Sequence, residues 1–211
     1  YLDILKDRLY TTEKNSLARR SAQTALYHIT MALVKLLAPI LSFTGEEAWT
    51  EMRRTFLKNT PLANGLTIFT ELYEKLPTID DAEGLLEKWS RILAIRAQLN
   101  KELEDVRSEG KIGSALQAEV DVFASGRDFE LLNSLDDDLK FVFIVSRATL
   151  HEEKSSTETE GPRFEINASE HEKCERCWHY REDVNQQPEH PSICGRCVDN
   201  LYADGEDRHY A

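Results

Sequence analysis

From the start of the chain, Leu2, Leu5 and Leu9 recur at the three- to four-residue spacing of an amphipathic helix, with Asp3, Lys6 and Asp7 between them. Thr11 and Thr12 interrupt that pattern. Ser16 offers an N-cap for a longer helix in which Ala22, Leu26, Ile29, Leu33 and Leu36 form a continuous apolar stripe. Arg19, Arg20 and Gln23 fall on its polar side. Pro39 should kink or end this helix, because proline removes a donor and clashes with the preceding turn. Thr44, Gly45, Glu46 and Glu47 read as a capping box opening a third helix, with Ala48, Trp49 and Met52 on its buried face.

Residues 58–66 are turn chemistry, and the apolar run Leu66 to Phe69 reads as a short strand. The strongest helical pattern runs from Asp80 to Ser108, with Leu85, Trp89, Ile92, Leu99, Leu103 and Val106 in one stripe. Arg96 interrupts that stripe and reads as an arginine reaching out at the helix rim. Gly110 stops the helix, after which the period changes. Glu119 to Ala124 alternates like a strand with Val120 and Val122 inward, residues 127–136 suit a short helix, and Phe141 to Val145 reads as a buried strand. Asp136 to Asp138 is most simply a solvated turn. Residues 152–162 form a polar linker, and Phe164 to Ile166 reads as a strand beyond it. The expected fold is mainly α with a smaller α+β part: a helical bundle over 1–110, an α+β junction unit and linker over 111–162, and a cysteine-rich module over 163–211.

That module holds all four cysteines of the chain, Cys174, Cys177, Cys194 and Cys197, spaced C-x2-C-x16-C-x2-C. A two-residue gap lets both thiolates of one tight turn face a single centre, and the longer excursion brings a second turn round to close a tetrahedron. The pattern points to one structural zinc ion; iron suits the same geometry. Two disulfides are disfavoured, since no signal peptide argues for an oxidising compartment. Gly195 suits a tight turn in which backbone N–H groups point at sulfur. His171, His179 and His190 crowd the module without being needed as ligands. Trp178, His179, Tyr180 and Arg181 make an aromatic and basic cluster that either stacks on unpaired bases or supplies the module's small apolar core.

The 211 residues carry a formal charge of -12, which weighs against a polyanionic partner until it is divided along the chain. Residues 1–58 carry +3, residues 59–162 carry -10 and the remainder -5, so a nucleic acid would meet local basic faces, first of all at the N-terminal end. No stretch approaches the roughly 20 apolar residues that span a bilayer. No Gly-rich phosphate loop, nucleophile elbow or metalloprotease motif occurs, so the chain reads as a binding part. It opens on Tyr1 rather than Met and looks like a piece of a longer protein, with nothing to suggest an obligate dimer.

Lys173-Cys-Glu-Arg-Cys-Trp-His-Tyr180 and Ile193-Cys-Gly-Arg-Cys-Val198 resemble the C-terminal zinc module of bacterial isoleucyl-tRNA synthetases. Upstream, Tyr1-Leu-Asp-Ile-Leu-Lys-Asp-Arg8, Ala18-Arg-Arg-Ser21, Gln23-Thr-Ala-Leu-Tyr-His28 and Ala38-Pro-Ile-Leu-Ser-Phe-Thr44 are similar to the helical anticodon-binding domain of that family, and Lys111-Ile-Gly-Ser114 resembles the junction after it. The resemblance implies a cytoplasmic, monomeric class I ligase that uses ATP to join isoleucine to its tRNA. The family's two activation signatures, His-Ile-Gly-His and Lys-Met-Ser-Lys-Ser, are absent here, as is any segment resembling its editing domain. The chain is therefore expected to hold the anticodon arm for catalytic and editing domains elsewhere in the same parent chain. Arg19 and Arg20 would contact phosphates, and Arg176, Trp178, Arg181 and Arg196 would act on the anticodon loop by stacking and charge. Formamidopyrimidine-DNA glycosylases carry a similar zinc finger, but their processed N-terminal proline-glutamate has no counterpart in Tyr1-Leu2 and their architecture has no place for the leading helices. A protein-docking zinc module is the third reading.

Overall fold

The computed structural model describes residues 2–153 and 161–210. Most of the expected linker falls on residues 154–160, outside the described residues. Helix α1 spans Leu2–Thr11, α2 Leu17–Leu37, α3 Ser42–Arg54 and α4 Ala82–Ser108. Then follow strand β1 (Ala118–Ala124), α5 (Gly126–Asn133), α6 (Leu139–Phe143), β2 (Arg147–Glu152) and β3 (Arg163–Ala168). The cysteine module adds β4 (Glu172–Lys173), β5 (Tyr180–Arg181) and α7 (Gly195–Tyr202). The chain is thus mainly helical with a small sheet, as the patterning predicts.

The chain divides into two compact units that do not follow sequence order: residues 21–80 form one, and residues 1–20 with 81–211 form the other. The expected boundaries at 110 and 162 do not coincide with this division, because α1 and α4 bury their apolar faces in the same core as the sheet. There, Ile4 of α1 joins Ile92, Ile95, Leu99 and Leu103 of α4, Val120 and Val122 of β1, and Phe141 to Phe143 of α6. Strand β1 lies at the centre of the sheet, parallel to β2 and antiparallel to β3. Its alternating burial puts Val120 and Val122 inward as expected. Arg96, the interruption in the α4 stripe, donates to Asp3 of α1 at 2.7 Å and ties the two helices together.

Phe141 to Val145 departs from expectation. It forms α6 and its C-cap, entered through a 3-10 turn at Asp136–Asp138 and closed by Ile144 in the left-handed region (φ 58°). The run is apolar because nearly all of it is buried, so it carries no period to separate helix from strand. Asp138, expected to be solvated, is buried as well.

In the unit of residues 21–80, Met31, Ala38, Trp49, Met52, Leu57 and Ile68 make the core. Helix α2 stops at Leu37, before Pro39, as predicted. Its expected apolar stripe is buried only at its start: Ala22 is buried and Leu26 partly so, but Ile29, Leu33 and Leu36 are exposed, while Met31, Val34 and Ala38 pack inward. Helix α3 begins at Ser42, two residues ahead of the expected capping box, and Glu46 instead accepts from Thr67 Oγ1 (2.6 Å) and the Ile68 N–H (2.9 Å). Ile68–Thr70 is a 3-10 turn capped by Thr67, in place of the expected strand.

Candidate metal centre and nucleic-acid interface

The first knuckle sits in the β4–β5 turn and the second at the start of α7. In the first, the Cys174 N–H donates to the His179 carbonyl and the Trp178 N–H to the Cys174 carbonyl, both at 2.9 Å. In the second, Cys194 precedes the first helical residue, which places Cys197 one turn along. In this turn the Cys194 N–H points at sulfur as expected, Cys174 Sγ at 3.4 Å, while the Gly195 N–H donates to Asp183 (2.9 Å).

All four cysteines are buried, with their sulfurs within 4.8 Å of one another. The pairs Cys174–Cys197 and Cys177–Cys194 are 3.7 and 3.8 Å apart. Sulfurs bound at about 2.3 Å to a tetrahedral ion lie about 3.8 Å from one another, so the two pairs match opposite edges of such a tetrahedron. Disulfide sulfurs would be about 2 Å apart. The donor set fits one structural zinc ion, closed to further ligands. Among the described residues this is the one such grouping. His190 stacks on Tyr202, and buried His179 sits edge-on to Phe141 with a pKa pushed down to about 4 by burial. His179 and His190 thus pack against aromatic rings, while His171 is exposed with its ring 3.8 Å from Glu119.

Around this centre the six expected RNA-contacting residues separate. Trp178 is 59% exposed and takes no part in the module's core, which consists of the cysteines with Val184 and Ile193. Arg181 is half-buried beside Asp183 (3.1 Å). Arg176 donates to the carbonyls of Thr11 (2.8 Å) and Tyr10 (3.4 Å) at the end of α1. Arg196 is buried, ion-paired with Asp7 and with Glu206 (2.7 Å), hydrogen-bonded to Thr11 Oγ1 (2.7 Å) and set over the Phe141 ring. That burial sets Arg196 apart from the other five: its guanidinium makes its contacts inside the protein. Arg19 and Arg20 open α2, where Ser16 caps the Arg19 N–H (3.2 Å) as predicted; Arg20 is exposed and Arg19 half-buried.

Sequence reasoning missed the hub that docks the module on α1. Arg208 contacts Asp7 (2.7 Å), Asp138 (3.2 Å) and Glu206 (3.5 Å), and lies 3.4 Å from the Phe141 ring centroid. Burial raises the Asp7 carboxyl, yet Arg196 and Arg208 outweigh it and hold that group below its ordinary value. Asp138 also accepts the backbone N–H groups of His209 (2.9 Å) and Tyr210 (2.6 Å), strapping the tail in place. These partners lie far apart in sequence and share no motif.

Residues 1–122 match the family described as the anticodon-binding domain of tRNA ligase. The chain belongs to that family. Residues 172–200 match a zinc finger found in FPG and IleRS, which brackets the four cysteines. The isoleucine–tRNA ligase of Bordetella petrii is 59% identical over 208 residues, 99% of this chain and 21% of the relative. Those of Cupriavidus pinatubonensis and Paraburkholderia phytofirmans are 51% and 52% identical over 211 and 208 residues. The chain therefore spans about a fifth of the length of the curated relatives it matches. Among the described residues no helix is long and apolar enough to cross a membrane.

Proposed function

We propose that this chain is the tRNA anticodon-arm-binding region of an isoleucine–tRNA ligase. It positions the tRNA for ATP-dependent aminoacylation by a catalytic domain elsewhere in the same parent chain, and has no activation chemistry of its own. The observation carrying this reading is the anticodon-binding match over residues 1–122 together with 59% identity to a ligase of that specificity. A glycosylase shares only the zinc finger, so the helical half favours the ligase.

Zinc supplies no reaction step: it closes the two knuckles into one lobe. Within that lobe Arg196 holds α1, leaving Trp178, Arg181 and Arg176 to meet the anticodon loop. Arg19 and Arg20 at the start of α2 would contact phosphates, which orient RNA without reading its sequence. The parent enzyme works in the cytoplasm as a monomer. Filter binding of an isoleucine tRNA transcript across a salt series tests the reading, with a duplex DNA of similar length as control. Tight tRNA binding that weakens steeply with salt, with the Arg19/Arg20 double alanine variant both weaker and shallower in slope, is the expected result. Equal binding of the DNA, or none of the tRNA, would refute it.

A further inference from the structure

Each knuckle carries an arginine immediately before its second cysteine, Arg176 before Cys177 and Arg196 before Cys197. Both reach the same end of α1. Arg176 donates to the carbonyls of Thr11 (2.8 Å) and Tyr10 (3.4 Å), while Arg196 pairs with Asp7 and donates to Thr11 Oγ1 (2.7 Å). Asp7, Tyr10 and Thr11 stand at i, i+3 and i+4, so these contacts share one face of the last turn of the helix.

Helix α1 has only 10 residues, short of the roughly 12–15 at which an isolated helix holds together in water. The last four carbonyls of a helix have no partner within it. Here Thr12 Oγ1 satisfies that of Arg8 (2.6 Å), and Arg176 satisfies those of Tyr10 and Thr11 while setting a cation at the negative end of the helix dipole. The cap thus comes from a residue that lies between two metal ligands, Cys174 and Cys177. A four-cysteine module this small takes much of its folding energy from the ion. In the loaded module the two turns, and with them the two arginines, are locked at the spacing that α1 accepts.

We infer that the last turn of α1 is a remote part of the zinc site: Asp7, Tyr10 and Thr11 bind no metal, yet by positioning Arg176 and Arg196 they tighten its hold, and metal binding seats α1 in return. The coupling is reciprocal, because the free energy linking two binding events is shared equally by both. It stands whether or not the chain binds RNA. It also differs in sign from a plain charge effect. Four thiolates around a dication carry net negative charge, so removing the Asp7 carboxylate beside the module would, by charge alone, favour the loaded site. Loss of the seat on α1 does the opposite.

The zinc affinity of the whole chain, read by equilibrium competition with a chromophoric chelator, tests the coupling. Asp7→Asn and Arg176→Ala, each with a zinc-loaded circular dichroism spectrum like that of wild type, should weaken zinc about 5-fold or more. Arg176→Lys should recover only part of that loss, since one ammonium replaces a guanidinium that spans two carbonyls. Unchanged or tighter zinc binding by Asp7→Asn would overturn the inference. A second measurement needs no variant. Chelating the metal from wild type should speed hydrogen exchange at the amides of Arg8 to Thr11 about 5-fold or more, while those of Ile95 to Leu99 in α4 keep their protection. Unaltered exchange in α1 would sever the metal from the helix end. An equal loss of protection in α4 would mean that the whole unit unfolds, and would overturn the local coupling too.

Discussion

Arg208 is surrounded by three carboxylates, Asp7, Asp138 and Glu206, while Arg196 offsets two of the same three, Asp7 and Glu206. Its side chain is 1% exposed. Arg208→Ala leaves three buried or half-buried acids facing one guanidinium and removes the nearer of the two guanidinium groups set over the Phe141 ring. Removing one partner of a buried ionic group costs about 3–5 kcal/mol, chiefly through the charge left behind. Asp7→Asn makes a useful contrast: two guanidinium groups then face two carboxylates, so the loss is confined to weakened hydrogen bonds of about 1.5–3 kcal/mol. Urea unfolding at pH 7 followed by circular dichroism should rank Arg208→Ala well below Asp7→Asn, and both below wild type. The gap between wild type and Arg208→Ala should narrow as pH falls toward 4 and below. In wild type the depressed Asp7 carboxyl contributes stability above its unfolded pKa of about 3.9 and loses it as pH falls further. In the variant Asp7 loses one of the two guanidinium groups that hold its carboxyl down, so it protonates at a higher pH than in wild type and its repulsion is relieved. A cost under about 1 kcal/mol, or a ranking reversed at pH 7, would show that the hub does not hold the tail and module on α1.

Two further outcomes follow from local geometry. The Asp3 carboxyl, held to about 2 by its hydrogen bond to Arg96, should contribute stability above its ordinary value and lose it as pH falls from about 4 toward 2. Asp3→Asn should therefore flatten acid unfolding in that window, modestly because Asp3 is half-exposed; an unchanged curve would remove this link between α1 and α4. A Cβ at Gly45 would come within 3.0 Å of the Ala38 backbone, so Gly45→Ala should cost about 1–3 kcal/mol by thermal unfolding, and an unaltered melting temperature would contradict the close approach there.

Where the sequence was legible, a local rule governed. The cysteine spacing carried the metal site because the ligands of each knuckle are neighbours, and Pro39 and Gly110 ended helices through their own backbone chemistry. The α4 stripe was readable since one face of a long helix is buried and the other solvated. Helix α2 misled because it is apolar on two faces, and only packing selects Met31, Val34 and Ala38 over Ile29, Leu33 and Leu36. Helix α6 misled for the opposite reason, being buried almost all round. Strand β2 gave no signal, since Arg147 to Glu152 is only partly buried and takes its shape from pairing with β1. Among the site residues, Trp178 could be singled out by type. The burial of Arg196 could not, because its partner Asp7 lies at the other end of the chain.

The most direct test of the whole account is the affinity for isoleucine tRNA of one preparation, measured before and after zinc is removed and again after it is restored. With four cysteines closing on one ion, and the lobe so formed docked on α1 through Arg176 and Arg196, chelation should weaken binding at least 10-fold and added zinc should recover it. Unchanged affinity in the metal-free protein would contradict the claim that the zinc lobe builds the RNA-binding face.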